Sequence, residues 1–384
     1  MRQLNTELIQ HRTANLYRTR HILSSPQGPD IIVDGRQMLT FCSNDYLGLA
    51  AAPQVIEAMQ HGANEYGVGS GSSHLISGHY APHQELEQAL AAFLGRPRAL
   101  LFSTGYMANI GVLTALLGSN DALFEDRLNH ASLIDGGMLT TARFQRYPHV
   151  NLEILKRRLT RSAMERCIVA TDGVFSMDGE LAPLPELAEL AAAHNAWLMV
   201  DDAHGFGVLG AKGTGTIEHF GLNVDQVPIL MGTLGKAIGV FGAFVAGSED
   251  LIETLIQKAR SFIYTTALPP ALAVATLEAL RLVQAEPERR EQLQARIAQF
   301  RSGALNMNLP LMDSITAIQP LIAGDTERAI SWSKQLENKG ILIPAIRPPT
   351  VPVNQARLRI TLSASHTEEH IARLLEALSQ LKIS

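Results

Sequence analysis

One lysine of the sequence lies among small residues directly after an apolar run, in Thr233-Leu234-Gly235-Lys236. The run at 229–232 is short and apolar, which indicates a buried strand. An amine at the end of such a strand is partly desolvated, which lowers its pKa and leaves a nucleophile able to form imines. A lone lysine in this setting is more often an ordinary loop residue. The chemical interpretation of Lys236 therefore depends on partner residues.

An acidic pair and a histidine end a second apolar run, in Val200-Asp201-Asp202-Ala203-His204. A carboxylate there is costly unless it meets a cation, and the protonated ring nitrogen of pyridoxal phosphate would serve. At about 4 Å and an effective dielectric near 20, the pair is worth on the order of 4 kcal/mol, or about 3 pKa units. The ring would stay protonated and act as an electron sink. Taken alone, either aspartate also fits a helix cap or a metal ligand.

Three further positions fit such a cofactor. His204 can hydrogen-bond a phenolic oxygen, or it can be a structural loop histidine. Gly105 and Tyr106 begin a predicted helix after a strand, where backbone N–H groups and the helix dipole favour phosphate. The same pattern also fits a simple strand-to-helix turn. His130, in Asn129-His130-Ala131-Ser132, can stack on a flat ring or be structural.

Two other motifs contain residue types that can bind ligands. The glycines at 67–71 follow a predicted helix and lack the Gly-x-Gly-x-x-Gly spacing, so they are not a dinucleotide fingerprint. They predict a tight backbone passage near a site. Arg357 and Arg359 alternate with apolar residues, so a strand would place both on one face. One of them can clamp a carboxylate bidentately, although two solvated arginines fit the spacing equally well.

These residues must be positioned by an α/β architecture. From 45 to 283, short apolar runs alternate with helical periodicity, which predicts a mostly parallel sheet with flanking helices. The predicted strands are 99–103, 167–171, 197–201, 229–232 and 243–247, and the predicted helices are 53–67, 83–94, 105–117 and 185–194. A charged helix after 283 indicates a smaller domain. We therefore predict an N-terminal helix and segment at 1–44, a large domain at 45–283 and a small α+β domain at 284–384.

Bulk composition favours small-molecule chemistry. The chain has 384 residues with a net charge of −5, which gives no electrostatic footprint for nucleic acid. Its 2 cysteines form no disulfide framework or metal motif, so no metal is predicted and a reducing cytoplasm fits. The basic stretch 1–21 lacks the apolar core of a secretory signal and predicts a helix of the mature protein. No run approaches the roughly 18 to 20 apolar residues that a membrane span needs.

Four motifs together resemble the α-oxoamine synthases, acyl-thioester-dependent members of the fold-type I pyridoxal-phosphate enzymes. They are the segments 44–49, 172–179, 201–205 and 233–236, and the resemblance covers nearly the whole chain. The segments 317–322, 346–352 and 356–359 resemble the branch of the family that serves biotin biosynthesis. The resemblance implies decarboxylative condensation of L-alanine with a pimeloyl thioester, carried by coenzyme A or an acyl-carrier protein. It also implies a cytoplasmic homodimer.

The resemblance assigns residue roles. Lys236 would carry pyridoxal phosphate as a Schiff base, Asp201 would pair with the pyridinium, and His204 would bond the phenolic oxygen. His130 would stack on the ring. The remaining implied positions are Gly105, Tyr106, Ser176 and Thr233 for the cofactor, Arg18, His130 and Thr350 for substrate, Arg359 for the alanine carboxylate, and Thr265 and Thr266 for a neighbouring subunit's cofactor.

Two alternatives stay open. The lysine motif also fits relatives that use glycine, as 2-amino-3-oxobutyrate coenzyme A ligase does with acetyl-CoA. A non-catalytic subunit of the same fold is a second alternative, against which Lys236 speaks because such subunits lack the lysine.

Overall fold

The computed structural model describes residues 2–14 and 16–381. They form two compact units. The large unit comprises 47–176 and 180–290, and the small unit comprises the described residues of 1–46, 177–179 and 291–384. No helix in this part of the chain is long and apolar enough to cross a bilayer.

The strands and helices alternate along most of the chain. The strands are β1 Asp30–Val33, β2 Arg36–Thr40, β3 Arg98–Phe102, β4 Asp121–Asp126, β5 Arg143–Tyr147, β6 Arg166–Asp172, β7 Ala196–Asp201, β8 Ile229–Thr233, β9 Ala243–Gly247, β10 Ile318–Gly324, β11 Ile341–Leu342, β12 Ala345–Ile346 and β13 Ala356–Thr361. The helices are α1 Arg2–Thr13, α2 Pro53–Tyr66, α3 Ala81–Leu94, α4 Gly105–Leu116, α5 Ala131–Leu139, α6 Leu152–Thr160, α7 Leu184–Ala193, α8 Thr216–His219, α9 Glu249–Lys258, α10 Arg260–Ile263, α11 Pro270–Ala285, α12 Glu288–Asn306, α13 Thr326–Asn338 and α14 Glu368–Ser379, with a π-helical turn at His74–Gly78.

A seven-stranded sheet forms the centre of the large unit, in the order β3-β9-β8-β7-β6-β4-β5. The strands β4 to β8 are mutually parallel, and β9 runs antiparallel to β3 and β8. The predicted α/β fold is therefore confirmed. Asp172 lies opposite Asp201 in the pairing of β6 with β7, and Asp201 lies opposite Met231 of β8. This register brings the carboxyl ends of three strands to one edge of the sheet.

Both faces of this sheet are buried at β6, β7 and β8, which explains why these strands contain continuous apolar runs. On one face Leu123, Ile168 and Met199 pack in a cluster with Val112 and Leu113 of α4. Because α4 is buried, its sequence is apolar nearly all round. The residues between them along the strands pack on the opposite face, against α6 and α7. Each buried leucine or isoleucine contributes about 1.5–3 kcal/mol, so this core holds the strand ends in place.

The small unit contains two three-stranded sheets. One has the order β1-β2-β11, and the other, fully antiparallel, has the order β10-β13-β12. The N-terminal helix predicted over 1–21 is found at Arg2–Thr13 and is shorter than predicted; residues 1 and 15 lie outside the described part. The positions of the five predicted strands are confirmed to within one residue.

One prediction about glycines was wrong. A Cβ built on Gly67, Gly69 or Gly71 would meet no atom within 4 Å, so the backbone makes no tight passage there within this chain. Gly67 and Gly71 instead have φ values of +80° and +69°. Glycine is favoured at these two positions because side chains disfavour that backbone region.

The two arginines of β13 are buried, which rules out a solvated pair. Arg357 exposes 1% of its side chain and donates to Asp178 Oδ1 at 2.6 Å. We predict that Asp178→Ala destabilises the protein by about 3–5 kcal/mol, because it leaves a buried guanidinium unpaired. Urea unfolding measures this. In the matched control, Asp313 pairs with Arg301 at 3.3 Å but is fully exposed, so Asp313→Ala should cost less than about 1 kcal/mol. Equal losses would contradict the prediction.

Glu125 of β4 is fully buried, and neither carboxylate oxygen has a hydrogen-bond partner among the described residues. Burial raises its pKa to about 8. Since the folded state holds the proton more tightly than the unfolded state, this group's contribution to stability falls as pH rises from about 4.5 toward about 8. Relative to wild type, the free energy of unfolding of Glu125→Gln should therefore increase by on the order of 3 kcal/mol from pH 5 to pH 8. Denaturant unfolding at both pH values measures this change. The exposed control Glu189→Gln should show no such gain, and a pH-independent difference for Glu125→Gln would refute the account.

Candidate active site

A cavity of about 170 Å³ lies in the large unit where β6, β7 and β8 end. Its lining combines one lysine, two aspartates, two histidines and several hydroxyl and apolar groups. The lining residues are Gly105, Tyr106, His130, Ser132, Asp172, Val174, Ser176, Asp201, Ala203, His204, Met231, Thr233 and Lys236. All eight residues predicted for catalysis or cofactor binding in this unit are among them.

Lys236 is presented by a tight loop between β8 and β9. Leu234 is buried and anchors this loop, with its N–H donating to the Gly242 carbonyl at 2.9 Å. The Gly239 N–H donates to the Lys236 carbonyl at 2.9 Å, which closes the turn around the lysine. The Lys236 Nζ lies 2.9 Å from the His204 Nε2, within hydrogen-bond distance. The loop thus places a half-buried amine in the cavity beside an imidazole.

The adjacent aspartates Asp201 and Asp202 have different surroundings. Asp201 lines the cavity and accepts from the Asn109 side chain at 2.7 Å and from the Ala203 N–H at 3.0 Å. Asp202 accepts from the Thr216 N–H at 2.7 Å instead. Side chains at the neighbouring positions 173, 205 and 215 would overlap the Asp202 carboxyl, and all three are glycines. Only Asp201 is held toward the cavity, so Asp201 is the candidate partner of a cofactor cation.

His130 caps the first turn of α5 at the cavity wall. Its ring Nδ1 lies 2.7 Å from the Ser132 hydroxyl, and its backbone N–H lies 3.2 and 3.1 Å from the two Asp172 oxygens. Burial lowers the pKa of His130, against the opposing effect of Asp201. The ring is therefore neutral near pH 7 and held in place, as stacking on an aromatic cofactor requires.

The N-terminus of α4 opens onto the same cavity. Thr104 caps this helix by accepting the Met107 N–H at 3.1 Å. The N–H groups of Gly105 and Tyr106 belong to the first turn and have no partner within the helix itself. The Tyr106 hydroxyl donates to Asp135, which fixes its ring. The hydroxyl residues Ser176 and Thr233 line the same cavity, so its lining offers several donors that suit a phosphate group.

The donor set matches pyridoxal phosphate at each of its functional groups. Lys236 supplies the amine for its aldehyde, and the buried Asp201 carboxylate supplies a partner for its ring nitrogen. The α4 N-terminus supplies N–H groups for its phosphate. The cavity thus combines the three features that the sequence predicted separately.

Comparisons with known proteins agree with this geometry. The model of the class I and II aminotransferase family matches residues 36–378. The 8-amino-7-oxononanoate synthase of Thioalkalivibrio sulfidiphilus is 61% identical to this chain, over 99% of it and 97% of that protein. The enzyme of the same name from Nitrosococcus oceani is 60% identical, over 98% and 100%. The chain belongs to the 8-amino-7-oxononanoate synthase family. The family, the enzyme class and the dependence on pyridoxal phosphate predicted from the motifs are confirmed.

Solved structures show the same fold. A serine palmitoyltransferase from S. paucimobilis, with bound pyridoxal phosphate and myriocin, aligns with a TM-score of 0.93 and 30% identity, over 98% of this chain and 96% of that one. The 8-amino-7-oxononanoate synthase from Francisella tularensis aligns with a TM-score of 0.78 and 34% identity, over 89% and 97%. The predicted fold-type I architecture is confirmed.

The remaining predicted substrate residues belong to the small unit. Arg18 and Thr350 line one cavity of about 230 Å³, together with Pro348 and Pro349. Arg359 of β13 is buried, and two of its guanidinium nitrogens lie 3.3 Å from the Asn44 Oδ1. The structure thus brings Arg18 and Thr350 together. Their contact with substrate stays a prediction.

Sequence reasoning missed two residues of the cavity region. Asp172 ends β6 as Asp201 ends β7, so the same pattern of an apolar run ending in an acid could have identified it. Burial and the neighbouring Asp201 raise the pKa of Asp172 well above its usual range. Asn109 bridges Asp201 and the Ser132 hydroxyl from within α4. A single amide in an otherwise apolar helix was the available signal.

A cluster of His74, His79 and His83 lies elsewhere in the large unit, with ring nitrogens within 4.8 Å of one another. The His83 Nδ1 accepts the Tyr80 N–H at 3.0 Å, and its Nε2 lies 2.6 Å from the Leu268 carbonyl, so both of its nitrogens are used. Nδ1 of His74 lies 2.9 Å from Nδ1 of His79, and burial lowers the pKa of His74 to about 3. We interpret the cluster as a hydrogen-bonded network that supports the π-helical turn.

Proposed function

We propose that this chain condenses L-alanine with a pimeloyl thioester to give 8-amino-7-oxononanoate, CO₂ and free thiol for biotin biosynthesis, with Lys236 as its central residue. The observation that carries the proposal is the placement of the Lys236 amine, 2.9 Å from His204, in one cavity with the buried Asp201 carboxylate. The identity of about 60% to enzymes of that name over the whole chain supports the choice of substrates.

When bound, pyridoxal phosphate supplies a ring that withdraws electrons and stabilises negative charge at the amino-acid Cα. Lys236 would hold its aldehyde, Asp201 would keep its ring nitrogen protonated, and His204 would bond its phenolic oxygen. Asn109 supports this role of Asp201, because it donates to the carboxylate at 2.7 Å and does not itself line the cavity. The phosphate would lie at Gly105, Tyr106, Ser176 and Thr233.

Lys236 also carries the proton chemistry. Its amine takes the Cα proton of alanine and later returns a proton to the same carbon after CO₂ has left. A general base must lie within reach of the proton it takes, and the Lys236 amine lines the cavity 2.9 Å from the His204 Nε2. His130 is neutral and held by Ser132, so it stacks without adding a charge that would compete with Asp201.

Substrate contacts and assembly complete the proposal. The acyl substrate would contact Arg18, His130 and Thr350. The planar guanidinium of Arg359 would bind the alanine carboxylate with two hydrogen bonds. We further propose a cytoplasmic homodimer in which Thr265 and Thr266 reach the cofactor of the neighbouring subunit.

The test is thiol release by the purified enzyme with pyridoxal phosphate, using each pairing of L-alanine or glycine with pimeloyl-CoA or acetyl-CoA. The proposal expects release only with L-alanine and pimeloyl-CoA. Release with glycine and acetyl-CoA would assign the 2-amino-3-oxobutyrate ligase reaction instead. No release with any pairing, including pimeloyl-acyl-carrier protein, would favour a non-catalytic subunit.

A further inference from the structure

The small unit contains a second and larger cavity, of about 650 Å³, which we call the basic pocket. Arg18, Ala345 and Arg347 line both this pocket and the cavity that contains Thr350. The two cavities therefore adjoin. Helix α1 contributes Arg12 to the basic pocket, and helix α13 contributes Lys334.

The lining of the basic pocket is strongly positive. Arg12, Arg18, Lys334 and Arg347 all line it. Its one acidic lining residue, Glu337, is neutralised by Arg36 at 3.2 Å. In the part of the chain that the structure describes, no carboxylate forms an ion pair with Arg12, Arg18 or Lys334. Arg12, Arg18 and Lys334 thus carry positive charge that no carboxylate of the described residues compensates.

Two of these cations are held in position by Tyr17. The Arg12 guanidinium lies over the Tyr17 ring, 4.5 Å from its centroid, and Nη2 of Arg12 lies 3.3 Å from its hydroxyl. Nη2 of Arg347 donates to the Tyr17 carbonyl at 3.0 Å. A guanidinium fixed in this way has lost part of its rotamer freedom before a ligand arrives. Planar guanidinium forks suit phosphate oxygens, and Lys334 adds a point charge.

We propose that the basic pocket binds the phosphate groups of the acyl donor, which lie at the opposite end of the phosphopantetheine arm from the thioester. This inference rests on the proposed function, because the adjoining cavity contains the residues assigned to the acyl substrate. The thioester itself is neutral, whereas its carrier brings phosphates. Coenzyme A presents several of them, and a carrier protein presents one phosphodiester, so both donors share the recognised group.

The test compares donors with and without phosphate. Lys334→Glu reverses a charge of the pocket, and Lys258→Glu reverses an exposed lysine at the end of α9 that lines neither cavity. KM for pimeloyl-CoA should rise roughly five- to tenfold in Lys334→Glu and stay unchanged in Lys258→Glu. KM for pimeloyl-pantetheine, which has no phosphate, should be the same in all three proteins. Calorimetric binding of free coenzyme A should weaken by the same factor.

An equal rise in KM for both thioesters would overturn the proposal, because the variant would then disturb the acyl end. So would an unchanged KM for pimeloyl-CoA together with unchanged affinity for coenzyme A. These failures differ from a failure of the proposed function, in which wild type itself would release no thiol. A third arm uses pimeloyl-acyl-carrier protein. A raised KM with this donor would show that the pocket binds the phosphate of the phosphopantetheine arm, which both donors share. A rise with coenzyme A alone would show that it binds the nucleotide phosphates.

Discussion

Replacement of Lys236 by alanine is expected to lower thiol release from pimeloyl-CoA by about 10³-fold or more while the protein still binds pyridoxal phosphate. The variant loses both the amine for the cofactor aldehyde and the base for the alanine proton, and a positioned base alone contributes about 10²- to 10⁴-fold. The other groups proposed to hold the cofactor, Asp201 and the α4 N-terminus, are unchanged in this variant. Steady-state thiol release measures the loss, and equilibrium dialysis measures the retained cofactor.

Lys212 offers a matched control for Lys236. It lies in an exposed loop of the same unit and lines none of the three cavities described above. Lys212→Ala should keep wild-type turnover and cofactor content. Normal turnover of Lys236→Ala would remove the central residue of the account.

Replacement of Asp201 by asparagine should lower turnover by about 10²- to 10³-fold. The amide has no charge to keep the ring nitrogen of the cofactor protonated, and the lost pairing corresponds to about 3 pKa units. The shape of the side chain is kept, so Asn109 and the Ala203 N–H still have a neighbour of the same size. The measurement is kcat for thiol release, at saturating L-alanine and pimeloyl-CoA.

The adjacent Asp202 makes this prediction specific. Burial raises the pKa of Asp202 to about 8, so its carboxyl is uncharged near pH 7 and an amide replaces it with little change. Asp202→Asn should therefore keep turnover within about threefold of wild type. Equal losses in the two variants would mean that the acidic pair acts as a structural unit, and Asp201 would lose its assigned role.

The difference between the two aspartates also shows what the sequence could not predict. An apolar run that ends in two acids indicates a strand end, but not which carboxylate faces a cavity. That choice depends on packing around Asp202, where residues 173, 205 and 215 must be glycine. Gly173 and Gly215 lie outside the local sequence around Asp202, so a local pattern carries no information about their contact with its carboxyl group.

Strand prediction succeeded where an apolar run was uninterrupted and failed where charges interrupted the pattern. The run in β7 is apolar until Asp201 ends it, and it was predicted, whereas β4 and β5 carry Glu125, Arg143 and Arg146 and were not. Glu125 is buried within its strand as a group whose pKa is raised, which is an exception to the apolar rule. Similarly, the alternation at β13 correctly indicated a shared face, but burial of Arg357 depends on Asp178, whose position comes from the tertiary fold.

The most direct test of the account uses L-alanine labelled with ¹³C in its carboxyl group, together with pimeloyl-CoA and the holoenzyme. Headspace mass spectrometry follows labelled CO₂ while thiol release is recorded in the same sample. The account predicts equimolar labelled CO₂ and thiol, with neither formed when alanine is omitted. Thiol released without labelled CO₂ would show thioester hydrolysis or a condensation that keeps the carboxyl group, and either result would contradict decarboxylative condensation in this cavity.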